Sequence, residues 1–122
     1  MHWSFPYLRQ KWTEEHDCFY WFAHVQRCQF GRLVPYAAGE SAKKHALELL
    51  QWKRQHWIET ENPVDGDAVI MTQPSRPSDP YHIGVWCDGQ VLHSQQGCHI
   101  ALETIPQLQV RGWKIRSLLT YA

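Results

Sequence analysis

The chain has 122 residues and a mass of 14.4 kDa, which fits one domain burying about two thirds of its unfolded surface. Lys and Arg number 12 against 12 Asp and Glu, with a pI near 7.1. No broad electrostatic attraction to nucleic acid or to an anionic membrane is therefore expected.

No apolar run approaches the roughly 20 residues of a membrane span, so no membrane insertion is expected. Met1-His2-Trp3-Ser4-Phe5-Pro6 lacks both the basic and the apolar region of a signal peptide. The expectation is synthesis in the cytoplasm, with delivery by other machinery for any role outside it. Cys18, Cys28, Cys87 and Cys98 form no C-x-x-C pair, and a reducing compartment favours free thiols.

Residues 1–16 read as an irregular or short helical lead-in. From Asp17 to Phe30 there is neither Gly nor Pro, Asp17 is a good N-cap, and Gly31 is a good stop. Aromatic crowding at 19–22 predicts a helix buried on most sides. After a loop through Pro35 and Gly39, apolar spacing at Ala42, Ala46, Leu49, Leu50 and Trp57 predicts a second helix over Ser41–Ile58. Its Lys43, Lys44, Lys53 and Arg54 fall on a solvated face.

Strand character begins beyond Asn62-Pro63. The expected runs are Asp67–Thr72, Tyr81–Cys87, Gln90–Ser94, Cys98–Leu102 and Gly112–Leu119, with a proline-rich loop over 74–80 as the rim of a cleft. Helices followed by strands predict an α+β domain, with the helical part N-terminal and an antiparallel sheet C-terminal.

Asp88-Gly89 between alternating runs signals a two-residue type I′ hairpin. Cys87 should then face Gln90, Trp86 Val91, Val85 Leu92, and Gly84 His93. Side chains alternate along a strand, so His82, Gly84 and Trp86 share a face, with His93 diagonal to His82 and within reach of it. Cys87 points to the opposite face. That placement, and the absence of short ligand spacings, argues against a zinc site, and no cofactor is implied.

A thiol at a helix N-terminus feels the positive end of the helix dipole, which favours thiolate. Papain-like chemistry needs a thiolate, an imidazole base and a group that fixes the imidazole's tautomer. Cys18, His82 and His93 fit these roles in that order, with the Cys18 amide a candidate for an oxyanion hole. His16 is an alternative base, and a Cys in an aromatic helix is commonly just a small buried hydrophobe.

The order Asp17-Cys18, then Asp65-Gly66-Asp67-Ala68-Val69-Ile70-Met71, then His82-Ile83-Gly84-Val85-Trp86 and His93-Ser94 resembles the NlpC/P60 family of cell-wall cysteine peptidases. The short chain ending in a strand like Trp113-Lys114-Ile115-Arg116 looks most like the peptidases of phage tails and prophages. The resemblance spans residues 7–119. It implies a papain-like fold and hydrolysis of peptidoglycan stem peptides next to γ-D-glutamyl residues, with Cys18 as nucleophile, His82 as base and His93 as orienting residue. It further implies substrate-binding or supporting roles for Asp17 and Tyr7, and phage tail proteins as partners. Phe19 and Tyr20 stand where members carry small residues, including a Gly. The competing expectation is a tail-assembly or tail-tip component whose site is degenerate or secondary; a third keeps the thiol chemistry on another amide or acyl substrate.

Overall fold

Asp17 starts the main helix by supplying what a helix N-terminus lacks. Its side chain accepts from the Tyr20 amide at 2.9 Å, satisfying one of the first-turn donors, and α1 runs Cys18–Phe30. Gly31 ends it at φ 65°, a left-handed conformation that costs glycine little, with its N–H bonded back to Gln26 O. Both boundaries match those expected. The computed structural model describes residues 2–13, 16–34, 56–73, 82–94 and 98–122. Before α1 the lead-in holds one 3-10 turn, Phe5–Tyr7.

The strands are β1 (Trp57–Glu59), β2 (Ala68–Thr72), β3 (His82–Cys87), β4 (Gln90–His93), β5 (Ala101–Glu103) and β6 (Lys114–Tyr121); a short helix, α2 (Ile105–Val110), precedes β6. They form one antiparallel sheet in the order β1-β6-β2-β3-β4-β5, so the architecture is α+β.

Period-two alternation divides the core into two layers. On one face α1 lays Cys18, Phe19, Phe22 and Val25 against Ile83, Val85, Leu92, Ile70 and Leu119. On the other, Leu108 of α2 and Trp113 cover Val69, Met71 and Val91. β2 serves both layers, which is why Ala68–Met71 is an unbroken apolar run and wholly buried.

A buried glutamine ties α1 to the sheet. Gln26 is fully buried; its Nε2 donates to Gly66 O at 2.8 Å, while Arg32 Nη1 donates to both Gln26 Oε1 and Gly66 O. Asp65 acts nearby as a clamp, accepting from Trp3 Nε1 and, at 2.7 Å, from the Asp88 amide at the hairpin turn.

Three expectations need correcting. The helix predicted over Ser41–Ile58 does not reach its expected end, because Trp57–Glu59 is an edge strand paired to β6 through Trp57↔Tyr121. Trp57 finds aromatic partners there, Phe22 at 5.7 Å and Tyr121 at 5.3 Å, and that burial outweighs helical periodicity. The remainder of that helix, to residue 55, and the 74–80 loop lie outside the described residues. The strand expected from Cys98 starts only at Ala101, since Cys98–Ile100 pairs with the lead-in through Ile100 N→Gln10 O and Trp12 N→Cys98 O. The strand expected from Gly112 starts at Lys114, because Gly112, at φ 88°, belongs to the turn closing α2.

Asp17→Ala removes the cap and should destabilise the fold by about 1 kcal/mol, whereas Asp17→Asn, an equally good cap, should stay within a few tenths. Thermal denaturation of both variants checks this; equal losses would remove the cap as the reason.

Candidate active site

The hairpin carries its register in two residues. Asp88 and Gly89 both have positive φ, 51° and 78°, the pattern of a type I′ turn. The pairs Cys87↔Gln90, Trp86↔Val91, Val85↔Leu92 and Gly84↔His93 follow, as the sequence predicts.

His82 and His93 therefore leave the same face of neighbouring strands. His82 Nε2 lies 2.8 Å from His93 Nδ1 with both rings buried. The ring of His82 stacks on Trp113, centroids 4.8 Å apart and planes inclined by 25°. Gly84 lets β4 lie close at this pair. A Cβ there would come within 2.6 Å of Val91 Cγ1 and 3.1 Å of His93 Cβ.

The chain of polar groups continues beyond the two imidazoles. His93 Nε2 bonds Glu103 Oε1 at 2.7 Å, and the same oxygen accepts from Arg111 Nη1. Glu103 and His93 are diagonal across β4 and β5, while Arg111 comes from the end of α2. Sequence reasoning missed both. The signal for α2 was present in Thr104-Ile105-Pro106-Gln107, a capping box with proline in the first turn, and Thr104 and Gln107 do make the reciprocal bonds.

Burial sets the protonation of this chain. It drives His82 well below the usual histidine range, and the facing charges of His93 and Arg111 push the same way. Burial also lowers His93; the hydrogen bond and charge of Glu103 oppose this without cancelling it, and Arg111 adds to the lowering. For Glu103 burial works upward, but hydrogen bonds from Arg111 and His93 outweigh it and hold the carboxyl below its ordinary value. Near neutrality the arrangement is two neutral imidazoles leading to a carboxylate.

Cys18 belongs to the other layer. It is the first residue of α1, 4% exposed, and packs in the helix-side cluster with Ile83, Val85 and Leu92, whereas His82 and His93 project from alternate positions toward α2. The structure thus brings the two histidines together, while Cys18 packs at the start of α1 among the helix-side residues. A small pocket beneath α1 is lined by Cys18, Gly84, His93 and Ser94 among others. Ser94 Oγ is buried with no hydrogen-bond partner among the described residues.

Asp17 and Tyr7, the remaining expected site residues, lie at the start of α1 and against its side, and their neighbours Phe19, Tyr20 and Cys87 pack around them. Asp17 caps α1. Tyr7 is buried edge-on to His24 of α1, centroids 6.1 Å apart, in the same apolar cluster as Cys18. Phe19 is fully buried against Phe22, and Tyr20 stacks between His16 at 3.9 Å and His24 at 5.7 Å. Cys87 faces the helix side, and burial, supplemented by Asp65 and Asp88, pushes its thiol up to about 11 despite a hydrogen bond with Ser4. It is an inert core thiol.

No family model matches this chain, and no curated protein matches it either. No helix among the described residues is long and apolar enough to cross a membrane.

Two outcomes follow from the buried chain. His82 and His93 have lowered folded-state values, so the unfolded chain binds protons the native state refuses. Their contribution to stability is complete above about pH 6.5 and is lost as pH falls below it. Glu103, also lowered, adds a loss of the same sign below its ordinary carboxylate value. Melting temperature should be flat from about pH 8 to 7 and fall below about 6.5, with His82→Gln flattening the upper part of that fall; an unchanged profile in the variant contradicts the assignment. Gly84→Ala should displace His93 and lower stability by about 1–3 kcal/mol through overpacking, seen as a loss of melting temperature and a shifted His93 ring resonance.

Proposed function

We propose that this protein is a papain-like cysteine peptidase of the NlpC/P60 type, cleaving peptidoglycan stem peptides next to γ-D-glutamyl residues. It acts at the cell wall after delivery, as a component of a phage or prophage tail. The observation that carries this reading is the buried 2.8 Å contact between His82 and His93 on a hairpin whose sequence order follows the Cys18 helix. A paired, desolvated imidazole is costly to keep in a core without a use for its proton chemistry.

The steps assign one role to each group. The Cys18 thiolate attacks the scissile carbonyl and His82, having taken the thiol proton, gives it to the departing amine. A water then attacks the thioester, with His82 accepting its proton, and the thiol is restored. His93 holds the His82 ring throughout. The helix dipole at Cys18 favours both the thiolate and the oxyanion at its amide. In this scheme the start of α1 and the start of β3, where His82 is the first residue, flank the substrate.

A specific observation supports the competing structural role. Cys18 is nearly inaccessible, packed among the helix-side aromatics, as expected of a tail component with a degenerate site.

Incubating the purified protein and Cys18→Ala with defined stem peptides, and reading fragments by mass spectrometry, separates the two. The peptidase should release fragments cut beside γ-D-glutamate only with Cys18 present; absence of Cys18-dependent cleavage of any stem peptide leaves the structural role. His93→Ala should lower kcat by at least about 100-fold with little change in KM.

A further inference from the structure

We propose that Glu103, anchored by Arg111, is a positioning residue that fixes the tautomers of both histidines and so selects Nδ1 of His82 as the basic nitrogen. This rests on His82 being the base of the proposed peptidase, but the tautomers themselves do not depend on catalysis.

The assignment follows from hydrogen-bond valence along one chain. An ionised carboxylate only accepts, so His93 Nε2, 2.7 Å from Glu103 Oε1, must carry the hydrogen. A neutral His93 then presents a lone pair at Nδ1. His82 Nε2, 2.8 Å away, must donate to it. Neutral His82 has no second hydrogen, which leaves its Nδ1 unprotonated and basic. Without Glu103, His93 could carry its hydrogen on Nδ1, and His82 would flip to the opposite tautomer with the wrong nitrogen protonated.

Arg111 keeps the first link in place. Its guanidinium shares Glu103 Oε1 with His93 and favours the carboxylate over the acid, which could otherwise donate to His93 and reverse the chain. Among the described residues, the charged and titratable groups facing His93 are His82 from β3, Glu103 from β5 and Arg111 from the end of α2. When His82 gains a proton during turnover, the Glu103 carboxylate compensates that charge through His93.

Long-range proton–nitrogen NMR spectra of the full chain, labelled with nitrogen-15 at histidine and recorded near pH 7.5, read the tautomers directly. Both His82 and His93 should be in the Nε2–H form in the wild type and in Glu103→Gln, whose amide oxygen still accepts. Glu103→Ala should lose the single tautomer and show mixed or reversed signals. An Nδ1–H His93 in the wild type overturns the proposal, as do unchanged tautomers in Glu103→Ala. If that variant fails to fold, the wild-type and Glu103→Gln spectra decide. Expected tautomers in a protein without Cys18-dependent cleavage would leave the positioning role standing and remove the peptidase; cleavage with an Nδ1–H His93 would do the reverse.

Discussion

The pairing of β3 with β4 is the constraint on which the rest of the molecule depends. Side chains repeat every two residues, so a slip of one position would turn His93 toward α1 and Leu92 toward α2. Two left-handed residues, Asp88 and Gly89, prevent it, and Asp65 holds the turn from outside through the Asp88 amide. With the register fixed, Gly84 falls opposite His93, where a Cβ would run into Val91 Cγ1, Leu92 O and His93 Cβ. The same register assigns Ile83, Val85 and Leu92 to α1, so one turn divides both core layers and places the polar chain in one of them.

That polar chain is expensive in a small domain. Two imidazoles and a carboxylate lie in or beside a layer otherwise made of Val69, Met71, Val91, Leu108 and Trp113. Apolar residues of similar shape would commonly be as stable or more so. The cost is reduced because each link is made: His82 to His93, His93 to Glu103, Glu103 to Arg111, with Trp113 closing the free face of His82. Arg111, partly exposed, connects the chain to solvent, so the only formal charges sit at its outer end. Such a network breaks as a unit, since losing one member leaves its neighbour buried and unpaired.

Local signals made much of this legible in the sequence. The cap and stop of α1, the turn at Asp88-Gly89 and the resulting adjacency of His82 and His93 depend on residues close together in the chain. Trp57 was misread because an apolar residue at helical spacing carries no mark of the strand partner, Tyr121, far along the chain. Glu103 and Arg111 escaped because their meaning arises only when β5 and the end of α2 fold against β4. α2 was different: its capping box stood in Thr104–Gln107, and only its shortness hid it.

The bulky residues after Cys18 look, in sequence, like obstructions. In the fold each has a place of its own: Phe19 fills the helix-side core, and Tyr20 lies along the outer surface of α1 between His16 and His24. Their bulk nonetheless has a consequence. Phe19, Trp21 and Phe22, all buried, seat the first turn of α1 deep in its layer, and Cys18 goes in with them. A small residue at 19 would remove part of that anchorage and leave the turn less firmly packed. The accessibility of the thiol is therefore governed by the aromatic packing that follows it, while the protonation of the histidine pair is set separately by its own burial and by Glu103.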